Sequence, residues 1–452
     1  MSRPTRASRR PIDLTFVLAI ALPLLVGLAL FLTTPGFGTA YFHPPTKPAL
    51  SSAVVVCPPA SGGGDQVQVT SRAAGSITLG ESSTRVAAGQ VVTASPGDGG
   101  IVVGASGVTA PGLTATRSST SPVAAAPCLY PKTDEWFTGA AAGPVHDSIL
   151  ELANPNDGPA VADITVISDT GPADVPALRG ITVPGHGTQR IDLGTVMPRT
   201  GVLALHAIVE RGQVAMAMRD RSAQLAGGKT SDDWLPGQVQ PARHNLLVGI
   251  PAGRGSHQLT VANGTDRQVS AKIKLVTADS MFTPENAPTL DIAPQSVSRV
   301  DLSQLLANPV AAGTLGIQVS ATGAVTASMR NVVNGDPSIT GRNRHLGKDT
   351  TVLVPTGAKQ LVVGGANAVG AITVTASDAD GRQLLSQRVA LVPKQGKSLS
   401  LPNGAVQVRI VPDGTRYVAA IVLSGKGGAT VIPVDRLRVT GRVPYVKPGL
   451  PR

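Results

Sequence analysis

Three segments of the chain open alike, and this self-similarity limits the possible folds more than any other feature. Ser148-Ile-Leu-Glu-Leu-Ala-Asn154 resembles Ser256-His-Gln-Leu-Thr-Val-Ala-Asn263, and Lys359-Gln-Leu-Val-Val-Gly-Gly-Ala-Asn367 follows the same plan. The matching asparagines are 109 and 104 residues apart. Each opening leads to an alternating strand: Ile164-Thr-Val-Ile167, Ile273-Lys-Leu-Val276 and Ile372-Thr-Val-Thr375. A proline-marked turn and a further strand follow at 183–193, 292–302 and 391–401. A closing hairpin is expected in two copies, turning at Arg211-Gly212 and at Thr322-Gly323. The segment 100–110 has the same form and reads as part of a degenerate fourth copy near the N-terminus.

A repeat of about 100 residues is too long for a solenoid unit or a propeller blade, which recur every 20–50 residues. The first clear copy shows about seven strands, near Trp136, Ser148, Asp163, Leu178, Gln189, Val202 and Val214. Seven short alternating strands in such a span are the signature of an immunoglobulin-like β-sandwich. Leu203, Leu205 and Ala207 occupy every second position, as the buried face of a half-buried strand requires. The composition agrees: 51 Gly and 37 Pro break a chain that is 42% hydrophobic but only 3% aromatic. Short strands bounded by turns suit it better than long helices. The expected architecture is therefore all-β: tandem immunoglobulin-like β-sandwich modules in a row, with a propeller ranked below.

Residues Leu14 to Leu32 form an uncharged apolar run of 19. That length fits a bilayer-crossing helix and exceeds the usual apolar region of a cleavable signal. Arg3, Arg6, Arg9 and Arg10 precede it, and the next basic residue is Lys47. The positive-inside rule then places the N-terminus in the cytoplasm and the bulk outside. The expectation is a single-pass cell-membrane protein. The alternative is secretion after cleavage near Ala40, where Gly38-Thr39-Ala40 offers a small-residue site. In an exported chain the only two cysteines, Cys57 and Cys128, read as one disulfide.

These features divide the chain as follows. Residues 1–13 are a basic cytoplasmic N-terminus, 14–32 a transmembrane helix or signal anchor, and 33–51 a Pro-rich stalk. A degenerate β module closed by the disulfide spans 52–130. Sandwich modules follow at 131–244, 245–350 and 351–438, and a basic Pro-containing tail at 439–452.

The basic start and apolar run, Cys57 before a degenerate β module, Cys128-Leu-Tyr-Pro131 and Glu135-Trp136-Phe137 with Gly139 form a recognisable set with Leu150-Glu-Leu-Ala-Asn154-Pro155. With these motifs the chain resembles an uncharacterised actinobacterial family of exported proteins, the domain of unknown function catalogued as fifty-seven nineteen. The resemblance implies an envelope location. It carries no activity, so no catalytic residue transfers.

The chemistry-bearing residues are scattered. No pair among His43, His146, His186, His206, His244, His257 and His345 has metal-ligand spacing. Asp378-Ala-Asp380-Gly381 lacks the later ligands of a calcium loop and reads as a turn. Ser61-Gly-Gly-Gly64 is followed by Asp65 rather than a phosphate-binding Lys-Ser/Thr pair. No catalytic, cofactor-binding or metal site is expected, and no cofactor. The net charge of +11 is crowded toward the two ends, without the basic stripe of a nucleic-acid binder. Trp136, Phe137 and Trp234 lie near module boundaries and are expected to wedge modules together. Arg442, Lys447 and Arg452 are candidate contacts to an anionic surface.

The expected function is that of a non-catalytic structural or interaction protein of the cell envelope, with a protein or anionic polymer as partner. The alternatives are a binding module for anionic wall polymer or lipid surface, and an envelope enzyme of unknown reaction.

Overall fold

The computed structural model describes residues 14–33, 46–95, 97–198, 200–222, 230–251, 255–333, 335–425 and 428–441. They fall into two units, residues 1–49 with 440–452, and residues 50–439.

In the smaller unit the backbone of Leu14–Thr33 is one α-helix with Pro23 inside it. Among the described residues no helix is long and apolar enough to cross a membrane. The basic tail residues Arg442, Lys447 and Arg452 lie outside the described residues.

The larger unit is almost wholly β, and one strand order recurs through it. The first block has eight strands: Ser52–Cys57, Gln66–Thr70, Gly75–Leu79, Ser82–Val86, Val92–Ala94, Ile101–Ser106, Thr114–Thr120 and Val123–Pro127. Numbered in chain order, they form two sheets, first-sixth-third-fourth and fifth-second-seventh-eighth. The fourth block, from Thr350–Leu353 to Gly428–Pro433, has the same two orders. The second block has them too, once Gly171–Ala173 and Ile181–Val183, which pair with the same strand Ala160–Ser168, are counted together as its fourth; it is joined into one sheet where Asp147 pairs with Ala142. In the third block the sixth and seventh strands fuse into Gly316–Val333, which pairs with Ala242–Val248 and Val269–Val276 early on and with Gly255–Asn263 later. Apolar side chains of both sheets share one core in each block. In the second block Leu150 and Leu152 from one sheet meet Ile164, Leu203 and Leu205 from the other.

Sequence expectations are corrected here at two levels, the local assignment of strands and the arrangement of the blocks. The closing hairpins are not hairpins. Thr200–Arg211 pairs with Ala160–Ser168 and Asp134–Ala142, whereas Ala215–Ser222 pairs with His146–Ala153 and Ser231–Leu235. A chain that turns at Gly212 and crosses to the opposite sheet shows the same apolar alternation as a hairpin, so the pattern does not separate the two. Leu178, expected on a strand, lies in the 3-10 turn Pro176–Leu178.

The second correction is larger. The blocks close into a propeller-like ring instead of standing in a row. The eighth strands, Val123–Pro127, Ser231–Leu235, Asp336–Gly341 and Gly428–Pro433, touch in cyclic order, the last returning to the first. Their burial shows why. Every residue of Asp336–Gly341 is buried, on both faces of the strand, as are five of the six in Gly428–Pro433. Ala125 of the first block belongs to the core of the fourth, and Ile339 of the third to the core of the second. An eighth strand at the end of a row would expose one face to water, and closure covers it.

Candidate axial site

The ring positions a cavity where the eighth strands end and the connecting segments begin. Its volume is about 300 Å³. Lys132 reaches it from the connection between the first and second blocks, Glu135 from the start of the strand Asp134–Ala142, and Gln238 and Gln240 from the connection between the second and third. Arg342, Arg344 and His345 come from the connection between the third and fourth blocks, and Asp435 and Arg436 from just after the fourth. Arg416, on the turn before the fourth block's seventh strand, completes the charged lining. Phe137, Met216, Met218 and Trp234 form an apolar wall.

Glu135 is only 2% exposed. Its Oε2 pairs with Lys132 Nζ, while Oε1 has no partner among the described residues. Burial raises its pKa against the pull of Lys132. Gly237 makes this approach possible, because a Cβ there would come within 2.4 Å of Glu135 Oε1. Gln238 fastens the same corner. It exchanges backbone hydrogen bonds with Trp136 at 2.8 Å each way, and its Nε2 donates to Gln240 O at 2.8 Å and Asn245 Oδ1 at 3.0 Å.

The rest of the charged lining is cationic. Arg436 donates to His345 O from Nε at 3.1 Å and Nη2 at 2.8 Å, and Arg342 donates to Gln240 O at 3.1 Å. Burial lowers the pKa of His345, and the charges of Arg416, Arg342 and Arg436 lower it further. Burial and the neighbouring charge of Arg344 likewise lower that of Arg342.

The ring also contains a buried acidic pair. Asp233, fully buried, accepts from Thr430 Oγ1 at 3.0 and 3.1 Å, and burial holds its pKa well above the usual carboxylate range. Asp336 accepts from Ser231 Oγ and from Ala429 N, and burial pushes its pKa up to about 6. Among the described residues no group of His, Cys, Asp and Glu could hold a metal ion.

The residues singled out in the sequence are placed as follows. Cys57 and Cys128 are bonded, with Cα atoms 4.1 Å apart. They sit opposite each other beside the hydrogen-bonded pair Val56–Leu129, at a non-hydrogen-bonded position where antiparallel strands come closest. Trp136 stacks on His206 with ring centroids 4.1 Å apart, and its Cη2 would lie 2.6 Å from a Cβ at Gly264 of the third block. Phe137 is buried in the second block's core and, like Trp234, borders the axial cavity. Asp378 caps its own turn, accepting from Asp380 N and Arg382 N. Sequence reasoning missed the arginines at the cavity. The one local signal is Arg342-Asn-Arg344-His345, three basic residues in four positions at a block boundary.

Together these features define an all-β protein whose blocks enclose a cation-lined axial cavity. The chain belongs to a family of unknown function, DUF5719, whose profile matches residues 81–402. No curated protein matches it. Among solved structures, a variant of the major pilin subunit of Bacillus cereus aligns over 66% of this chain and 96% of its own. The identity is 11% and the TM-score 0.14, a likeness too slight to carry an argument.

Proposed function

We propose that this chain is a non-catalytic interaction protein of the cell envelope, anchored by its N-terminal apolar segment, whose ring of immunoglobulin-like tandem modules presents the axial cavity to a ligand outside the cytoplasm. One observation carries the binding part of this reading. All three connections between blocks, and the segment after the fourth, place polar or charged side chains at one cavity. A chain that needed only to connect blocks would gain nothing by gathering arginines there, where they repel one another. The uncharged run Leu14–Leu32 behind four arginines supports the anchored, exported orientation. The disulfide is in keeping with an oxidising compartment.

The test uses the full chain in its native host. A reporter active only outside the cytoplasm, fused after Arg452, should work. A photo-crosslinking residue at position 344 should capture a ligand that the same residue at the exposed outer-strand position 387 does not. Activity of a cytoplasm-only reporter refutes export. Equal capture from both positions, or capture from neither, refutes the cavity as the binding site.

A further inference from the structure

The axial cavity has an imbalance of charge that the fold does not resolve. Lys132, Arg342, Arg344, Arg416 and Arg436 line it, against the carboxylates of Glu135 and Asp435. Glu135 is engaged by Lys132. Asp435 Oδ1 accepts from the backbone N of Arg436 at 2.7 Å. None of the four arginines has an ion-pair partner among the described residues. Arg342 and Arg436 donate only to backbone carbonyls, and the side chains of Arg344 and Arg416 make no hydrogen bond to another described residue. The guanidiniums of Arg416, Arg342 and Arg436 beside His345, and that of Arg344 beside Arg342, repel one another, and an anion between them relieves that repulsion. The neutral imidazole that this crowding favours adds a hydrogen-bonding group without adding charge.

The partly exposed apolar lining is Leu129, Trp234, Pro236 and Val239, while Phe137, Met216 and Met218 border the cavity from within the second block's core. Trp234 pairs an apolar ring with a donor. A bare inorganic anion would leave these groups without a partner. A neutral apolar molecule would leave the guanidiniums without one. At about 300 Å³ the cavity is at the lower end of small-molecule sites.

We infer that the axial cavity binds one amphiphilic anion: an unbranched apolar chain lying against Leu129, Trp234, Pro236 and Val239, ending in a phosphate or carboxylate held by the arginines beside His345. Arg344 and Arg416, exposed and without competing hydrogen bonds, are the residues that select for charge. The inference rests on the binding reading proposed above, and narrows its ligand to one chemical class.

The experiment uses the full chain in phosphatidylcholine nanodiscs, with empty discs subtracted. Butyl, hexyl and octyl phosphate, octanoate, octanol and inorganic phosphate are titrated by calorimetry and by the emission of Trp234, one of two tryptophans in the chain. The expected result is a Kd that tightens about fourfold per methylene up to octyl, the value implied by burying one CH₂. Octanol and inorganic phosphate should each bind at least tenfold more weakly than octyl phosphate. Arg344→Gln with Arg416→Gln should lose at least tenfold for octyl phosphate and nothing for octanol, at unchanged Tm. The tighter of octyl phosphate and octanoate identifies the preferred head group. No dependence on chain length, octanol binding as tightly as the anions, or no binding at all would overturn the inference. If position 344 still captures a ligand in the host, such a failure rejects the ligand class and leaves the binding site standing.

Discussion

Arg330 of the third block donates from Nε to Asp220 Oδ2 of the second at 2.8 Å, across the boundary between them. Asp220 is wholly buried, and it also accepts from Ser148 Oγ at 3.0 Å and pairs with His146 Nε2 at 2.5 Å. Burial alone would raise its pKa, but the charge and hydrogen bond of His146, followed by those of Arg330, hold it below the usual value. A carboxylate with so many donors is stabilising only while all of them are present. Arg330→Ala should cost about 3–5 kcal/mol, because it leaves a buried charge short of its partner. Denaturant titration checks this. Because the folded pKa is depressed, this contribution is present above the unfolded value near 4 and is lost as pH falls through the folded one. A loss under 1 kcal/mol would show that the boundary is held by packing alone.

The acidic pair in the ring gives the opposite pH dependence. Asp336 is pushed up to about 6, and Asp233 is raised well above its usual value. A raised carboxyl pKa means that the folded state binds the proton more tightly than the unfolded one. Its stability contribution is full below the unfolded value near 4 and disappears as pH rises through about 6. The chain should therefore melt at a lower temperature at pH 7.5 than at pH 5. Asp336→Asn retains acceptor capacity for Ser231 and Ala429 without the charge. It should remove roughly 1.4 kcal/mol of the difference between pH 5 and pH 7.5, the part of the titration that lies between pH 5 and about 6. Melting curves for both proteins across that range decide the matter, and parallel pH profiles would count against it.

The disulfide closes a loop with a sequence separation of 71 within the first block. Its core is thin, built largely of Val and Ala. Cys57→Ser with Cys128→Ser should cost about 4 kcal/mol in the chain-entropy account. The effect should be local, so hydrogen exchange ought to accelerate in residues 52–127 before it does elsewhere. Uniform acceleration through the ring would show that the first block does not open on its own.

The sequence made the strands legible, because period-2 burial leaves a trace in residue order. Leu203, Leu205 and Ala207 alternate as expected, and each is fully buried. Asn154 and Asn263 fill the same role, each donating from Nδ2 to carbonyls 4 and 29 residues ahead. Asn367 matches them in sequence only: it lies past the strand Lys359–Gly364 and instead accepts from Arg416 N. Pairing partners were not legible. Neither Gly212 nor Gly323 shows whether the chain turns back or crosses to the other sheet. Closure was hidden for a related reason. The buried eighth strands contain Ala124, Asp233, Asp336 and Thr430, small or polar residues that resemble an exposed edge until three neighbours cover them. The cavity's arginines come from the segments before and after the fourth block and from its turn at Arg416, and Arg436 reaches His345 O across a separation of 91 residues that residue order does not reveal.

Trp136 tests the boundary between the second and third blocks. It packs with Ile167 and Ala204 of its own block and Ala262 and Val297 of the next. Trp136→Ala should cost about 3–5 kcal/mol, as truncation of a large buried aromatic does. Gly264→Ala should destabilise as well, since a Cβ there would lie 2.6 Å from the indole. If both act on one contact, the double substitution will cost less than the sum, because alanine at 264 then enters the space the indole left. Strict additivity in a double-mutant cycle would mean that the two sites are not coupled.

Ring closure itself makes the sharpest prediction, at Ala125. This residue is 3% exposed, yet the core that buries it belongs to the fourth block, more than 200 residues further along the chain. In a row of blocks the first and fourth would not meet, and the outer face of Val123–Pro127 would be wet. An aspartate at 125 would then cost little. In the ring it places a carboxylate in the fourth block's core, against Leu346, Tyr417 and their neighbours, where it loses its hydration. Ala125→Asp should therefore part the first block from the fourth, at a cost of several kcal/mol, while each block keeps its own sheets. The measurements are small-angle scattering, which should report a larger radius of gyration, and far-UV circular dichroism, which should not change. Scattering also supplies the control: Ala88→Asp, on an exposed turn of the same block, should leave the radius as it was. An unchanged radius and Tm in the Ala125→Asp chain would mean that the first and fourth blocks do not close the ring.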